Sequence, residues 1–232
     1  KVRIFRISSH ALTYAAFFAF WILISTRELH AQKQDAGTQK IFTELGLGAR
    51  AQGFGQAYVG IANDGSAVFW NPAGLDYLQQ ANFAAYHSTG IVGTSTNFAT
   101  LTYPFVSFGT VGVGVAFTGV NGIPITDTDN KSYGDRTYSY QEYYFSYGKK
   151  LPWFGLAVGS TFKIIHETSV NQQGPSVFPV SGTTSTFDLG LMYRPDFETA
   201  ALRNLSVGLN IQNITAPKMK LIDSQDSIPY NI

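Results

Sequence analysis

From Ala81 onward the chain alternates apolar with small or polar side chains at a period of two, the mark of β-strands whose faces meet different surroundings. Val111, Val113, Val115 and Phe117 alternate with Thr110, Gly112, Gly114, Ala116 and Thr118. Leu156, Val158, Phe162 and Ile164 alternate with Gly155, Ala157, Gly159, Thr161 and Lys163. Phe187, Leu189, Leu191 and Tyr193 stand against Asp188, Gly190 and Met192, and Leu205, Val207, Leu209 and Ile211 against Ser206, Gly208, Asn210 and Gln212. Tyr138–Gly148 alternates less cleanly, and Asn82–His87 and Ser95–Tyr103 are weaker candidates. Seven strands are predicted, several about ten residues long, the length of a tilted crossing of the hydrocarbon layer. The alternation alone fits a soluble sandwich with its apolar face inward or a membrane barrel with that face on lipid.

The connections separate the two. Phe105–Gly109, Lys149–Pro152 and Pro195–Asn204 are short or moderate, whereas Gly119–Arg136, Glu167–Gly182 and Asn213–Ile228 are long and polar. Strict alternation of short and long loops is a habit of transmembrane barrels. Tyr103, Phe105, Phe108, Tyr147, Trp153, Phe154 and Tyr193 gather at the short-turn ends, as an interfacial girdle would. The predicted fold class is therefore all-β, an antiparallel transmembrane β-barrel over residues 81–232, placed in a bacterial outer membrane and in contact with its lipid. A sheet in lipid has to close on itself, and Asp226–Ile232 reads as the entrance to a further strand. The chain is expected to be an N-terminal part of a longer protein; an eight-strand barrel lacking its last strand is the alternative.

Composition agrees with many short strands: 13% charged residues, about half the usual share, with 23 Gly and 13 Tyr. The absence of Cys excludes a disulfide framework and thiolate metal sites. A net charge of +1 gives no reason to expect nucleic acid. Residues 1–31 have the layout of an export signal: Lys1, Arg3 and Arg6, then apolar Ala11–Ile24, then a more polar end with Ala31. That apolar run is shorter than the ~20 residues of a membrane-spanning helix, and a retained anchor is the alternative. The chain opens on Lys1, not Met, as a record starting inside the gene product would.

Between the signal and the strands, within a predicted hatch or plug segment over 32–80, Leu45–Leu78 reads LGLGARAQGFGQAYVGIANDGSAVFWNPAGLDYL. Pro72 lacks a backbone donor and pushes Asn71 out of the helical region, and Gly74 is free to take a positive φ. Asn71, Pro72, Ala73 and Gly74 are predicted to form a tight turn. The Ser66 hydroxyl is predicted to cap one helical turn running through Trp70. Gly46-x-Gly48-x-x-Ala51 with Asp64 beyond it imitates a dinucleotide fingerprint, but no long helix or βαβ alternation follows.

Taken together, this stretch resembles the N-terminal region of the FadL-like outer-membrane proteins, most of all the PorV/PorQ branch of the type IX secretion system. Gly48, Ala49, Arg50, Ala51, Gly53, Gly55, Ala57, Tyr58 and Val59 fit that pattern, as do Ala62, Asp64, Ser66, Ala67 and Trp70–Leu75. Gln56 stands where a small residue is usual and Gly65 where Ala is common. The resemblance implies a barrel with about twice the strands counted here. It implies a non-enzymatic protein that assists export or surface attachment of secreted cargo, in contact with other envelope proteins. The alternative it carries is FadL-type passage of a long-chain fatty acid or another hydrophobic small molecule. In either case Asn71–Gly74 would be a hinge, and Tyr58, Phe69 and Trp70 could line an apolar pocket.

Catalytic chemistry is hard to find. His10, His30, His87 and His166 form no ligand cluster. Gly93-x-Ser95-x-Asn97 fails as a nucleophile elbow, and Gly148-Lys149 lacks the glycine of a phosphate loop. An acyl-removing enzyme has no nucleophile with a base nearby. Asp127, Asp129 and Asn130 miss the spacing of a calcium loop, so no metal or cofactor is expected. Glu142, Lys163 and Asp188 fall on the small or polar face of their strands. Because charge is costly on a lipid face, they are expected to face a lumen, as an ion-pair network or as cargo contacts.

Overall fold

The computed structural model describes residues 46–90, 93–126, 129, 131–152, 155–171, 180–195, 204–221, 224–227 and 231. The chain divides into two units, Lys1–Gly37 and Thr38–Ile232. The first, and with it the export signal expected over 1–31, lies outside the described residues, as do Trp153 and Phe154.

The second unit is built on one antiparallel sheet curled into a half-barrel. Its strands are β1 (Asn82–Thr89), β2 (Thr94–Phe105), β3 (Gly109–Thr126), β4 (Ser132–Lys150), β5 (Leu156–Asn171), β6 (Val180–Tyr193) and β7 (Val207–Ile211). They follow one another in space in chain order, each pairing with its sequence neighbour. The alternation has a clear physical result. Phe83, Leu101, Val113, Phe145, Phe187, Leu189, Leu191, Val207 and Leu209 all stand exposed on the outer face, Leu189 at 54%. The inner face carries Thr102, Thr110, Glu142, Thr161, Lys163, Thr186 and Asp188, all buried. The sheet is apolar outside and mixed inside, its buried inner face holding charged and hydroxyl side chains beside Phe98, Tyr144, Ile165 and Met192.

Across the outer face, Phe145, Phe162 and Phe187 occupy one row on three strands, with ring centroids 6.3 and 5.0 Å apart. At the short-turn end Tyr103, Phe105, Phe108 and Tyr147 form a chain of ring contacts at 4.8, 6.2 and 5.3 Å.

The strands run farther than the periodicity predicts. Ile123–Thr126 pairs with Ser132–Arg136 inside the supposed loop Gly119–Arg136, after a register shift beyond Val120. Thr168–Asn171 likewise pairs with Arg136–Ser139 inside the supposed loop Glu167–Gly182. In β3 the register shift interrupts the period before Ile123 and Ile125, and in β5 backbone pairing continues through mainly polar residues that carry little period-two signal. A small hairpin, β8 (Lys218–Leu221) with β9 (Ser224–Ser227), lies in the third predicted loop.

The remaining elements are short and precede the sheet in the chain: α1 (Ala49–Gly53), α2 (Ala67–Trp70) and a 3-10 helix (Pro72–Tyr77). Among the described residues no helix is long and apolar enough to cross a membrane. α2 and the 3-10 helix pack on the inner face of the sheet, and the main hydrophobic core lies between them and it. Val68, Leu75, Ala73, Trp70 and Tyr58 meet Phe98, Ala116, Tyr144, Ala157 and Met192 there.

Candidate functional site

The segment Gly46–Leu78 is seated on the wall by a row of glycines. Gly148, Gly159 and Gly190 are consecutive register partners on β4, β5 and β6. A Cβ on Gly159 would sit 2.3 Å from the Ala73 nitrogen and the Pro72 carbonyl carbon. On Gly148 it would meet the Pro72 oxygen at 2.4 Å, and on Gly190 the Asn71 Oδ1 at 2.1 Å. Gly208 on β7 has the same relation to Val59 and Gly60. The sequence marks these positions only as small; their alignment into one track appears when the strands are in register.

Asn71, Pro72, Ala73 and Gly74 are all buried in this track. Asn71 takes an extended backbone and caps the 3-10 helix, its Oδ1 accepting from the Ala73 N–H at 3.1 Å. Its Nδ2 donates to the carbonyls of Val59 at 2.9 Å and Leu191 at 3.0 Å, tying two parts of the segment to β6. Gly74 is needed for a different reason from the one expected. Its backbone is not left-handed; instead a Cβ there would overlap the Ala62 oxygen at 1.7 Å.

The last carbonyls of α2 have no intrahelical partners, and the wall supplies them. Val68 O accepts from Thr161 Oγ1 at 3.1 Å, Phe69 O from Gln212 Nε2 at 2.7 Å and Trp70 O from Asn210 Nδ2 at 2.9 Å. Replacing Asn71 with Ala would strip three hydrogen bonds from a fully buried side chain at once. We expect a loss of about 2 kcal/mol or more, read as a lower urea midpoint.

At the other end of α2, Ser66 does not cap through its hydroxyl as predicted. Asp64 does the work: its Oδ1 accepts from the Ser66 N–H at 2.9 Å and from Ser66 Oγ at 2.5 Å. Its Oδ2 accepts from the Tyr58 hydroxyl at 2.6 Å and lies 3.4 Å from Arg50 Nη1. Burial pushes the Asp64 carboxyl up, but the bonds from Ser66 and Tyr58 and the Arg50 charge outweigh it and hold it below its ordinary value. Burial and the bond to Asp64 push the Tyr58 phenol up.

The linkage follows. The Asp64 contribution is complete above its unfolded value of about 3.9 and is lost as pH falls through its lower native value. The Tyr58 contribution is present below about pH 10 and is lost on further alkalinisation. A melting-temperature profile should therefore drop on its acid side, and Asp64→Asn should flatten that drop.

Tyr58, Phe69 and Trp70 form an aromatic run. Tyr58–Trp70 centroids are 6.1 Å apart and Phe69–Trp70 5.2 Å, and Phe69 continues to wall residue Tyr144 at 6.3 Å. The Trp70 indole N–H donates to the Leu47 carbonyl at 2.6 Å. All three are buried against protein. They line neither the cleft beside Lys150 and Arg194 nor the groove over Ala85 and Ala99.

Glu142, Lys163 and Asp188 come together on the inner face, all buried. Lys163 Nζ lies 3.0 Å from Asp188 Oδ1, which also accepts from the Asn213 N–H at 2.8 Å. Glu142 accepts from the hydroxyls of Tyr140, at 3.3 Å, and Tyr144. Asp129 is exposed, Asp127 and Asn130 lie outside the described residues, and among those described no cluster could hold a metal.

No family model, curated protein or solved structure matches the chain.

Proposed function

We propose that this chain is part of a bacterial outer-membrane β-barrel with an internal plug, non-enzymatic, and serving to hold or pass secreted proteins at the cell surface. The observation that carries the reading is the sheet itself, with Leu, Val and Phe side chains exposed outside and charges buried inside. Such a face left in water would be a large aggregating patch. Against acyl chains it is the ordinary exterior of a barrel, with the aromatic rings at the short-turn rim as its interfacial belt. The resemblance of Leu45–Leu78 to the PorV/PorQ branch supports secretion as the task.

A specific observation favours the scaffold reading over FadL-type uptake. The Asn-Pro-Ala-Gly turn is bonded and sterically locked to the wall, and the plug aromatics fill one another's contacts. On this reading the segment is an anchor for the plug and not a hinge. Deleting the gene should strip surface-displayed proteins from the cell, and an unchanged surface would sink the secretion role. Saturable binding of labelled long-chain fatty acid to the detergent-folded protein would instead favour uptake.

The lipid contact has its own test. Leu189→Arg should lower stability in bilayers by about 2–4 kcal/mol if the position sits near the midplane. A change within about 0.5 kcal/mol, as for ordinary surface substitutions, would sink the membrane reading.

A further inference from the structure

We propose that the cleft at the short-turn rim between the ends of β4, β5 and β6 binds a phosphate-bearing anion through Lys150 and Arg194. The cleft has a volume of about 600 Å³ and is lined by Lys150, Leu151, Gly155, Tyr193, Arg194 and Pro195. Its two cations converge on one platform, the Tyr77 ring: Arg194 Cζ lies 4.3 Å from the ring centroid and Lys150 Nζ 5.3 Å. The ring is itself fixed, its hydroxyl donating to the Gly155 carbonyl at 3.1 Å.

Neither cation is paired with a carboxylate among the described residues, unlike Arg50 with Asp64 and Lys163 with Asp188. Arg194 is held by its Nε, which donates to Ser206 Oγ at 2.9 Å, and by its backbone N–H to Gly155 O. That leaves the terminal nitrogens of a pre-oriented guanidinium for a ligand. The nearby acid, Asp76, is already engaged by the Lys150 backbone N–H at 2.6 Å and Thr110 Oγ1 at 3.1 Å.

A planar fork beside a point-charge ammonium suits a tetrahedral oxyanion that can bridge both. Tyr193 links the cleft to the apolar outer face, since it continues the row of Leu189 and Leu191 and pairs with Leu156. A phosphate seated here could therefore belong to an amphiphile whose chains lie along β5 and β6. That lipid source rests on the membrane reading above; the cleft itself does not.

The test uses the full chain folded in nonionic detergent, with two probes. One is phosphatidylglycerol in mixed micelles, counted by native mass spectrometry against phosphatidylcholine; the other is inorganic phosphate, titrated by calorimetry. Lys150→Gln and Arg194→Gln should each weaken binding about tenfold. Arg194→Lys, which keeps the charge, should lie between wild type and Arg194→Gln. Preferential retention of phosphatidylglycerol that these variants abolish supports the site with a lipid source. Phosphate binding alone, equally sensitive, supports it with a free anion and holds even if Leu189→Arg leaves bilayer stability unchanged. Binding of neither probe, or binding indifferent to both Gln variants, overturns the proposal. Lys150→Gln keeps the readout clear of folding, because the Lys150 ammonium makes no hydrogen bond among the described residues.

Discussion

Lys163→Met is expected to destabilise the protein by about 3–5 kcal/mol, the usual cost of removing one partner from a buried ion pair. The substitution keeps the volume and removes only the charge. Asp188 would then keep a single described hydrogen bond, from the Asn213 N–H, and its Oδ2 already has no described partner. Glu142 would lose the nearby cation as well and retain its two tyrosine donors. Two carboxylates would remain in a space that excludes water. Urea titration should show the loss, and adding Asp188→Asn should recover much of it. A single variant as stable as wild type would mean that water reaches this face freely.

Gly159→Leu should act differently, by unseating the segment Gly46–Leu78 while leaving the sheet. The new side chain would begin 2.3 Å from backbone atoms of Pro72 and Ala73, and β5 cannot retreat because β4 and β6 hold it in register on both sides. Overpacking against a backbone lies at the high end of the ~1–3 kcal/mol range or beyond it. The Asn71 bonds to Val59 and Leu191 should break along with it, so we expect more than about 3 kcal/mol in all. Limited proteolysis should open new cleavage near Arg50 while the strands stay protected. Ser160→Leu, one residue on and directed outward, should change neither property. Equal behaviour of the two variants would remove the glycine track from the account.

Much of this architecture could be read along the chain. Seven strands were predicted and seven form the sheet, because a strand with unlike faces must alternate whatever its neighbours are. The Asn71-Pro72 signal likewise placed a turn, since the proline restriction is local. The ends of β3, β4 and β5 escaped: the register shift after Val120 interrupts the alternation before Ile123 and Ile125 resume it, and the polar ends of β4 and β5 carry little alternation. So did the cap on α2: Ser66 and Asp64 are both good capping residues, and only their final geometry selects Asp64. Lys163 and Asp188 lie on different strands, so their pairing needed the register, whereas the tyrosine donors to Glu142 sit two residues away on its own strand.

What the sequence by itself determined is the rhythm of the sheet and the sharpness of the Asn-Pro-Ala-Gly turn, both consequences of near-neighbour sterics and of one face differing from the other. What only the tertiary structure decided is which face turns outward and why glycines recur on the inward one. Those are properties of strands brought side by side. The row Gly148, Gly159 and Gly190 exists only in register, where missing side chains on three strands leave a channel the depth of a backbone, and the Asn-Pro-Ala-Gly turn fills it.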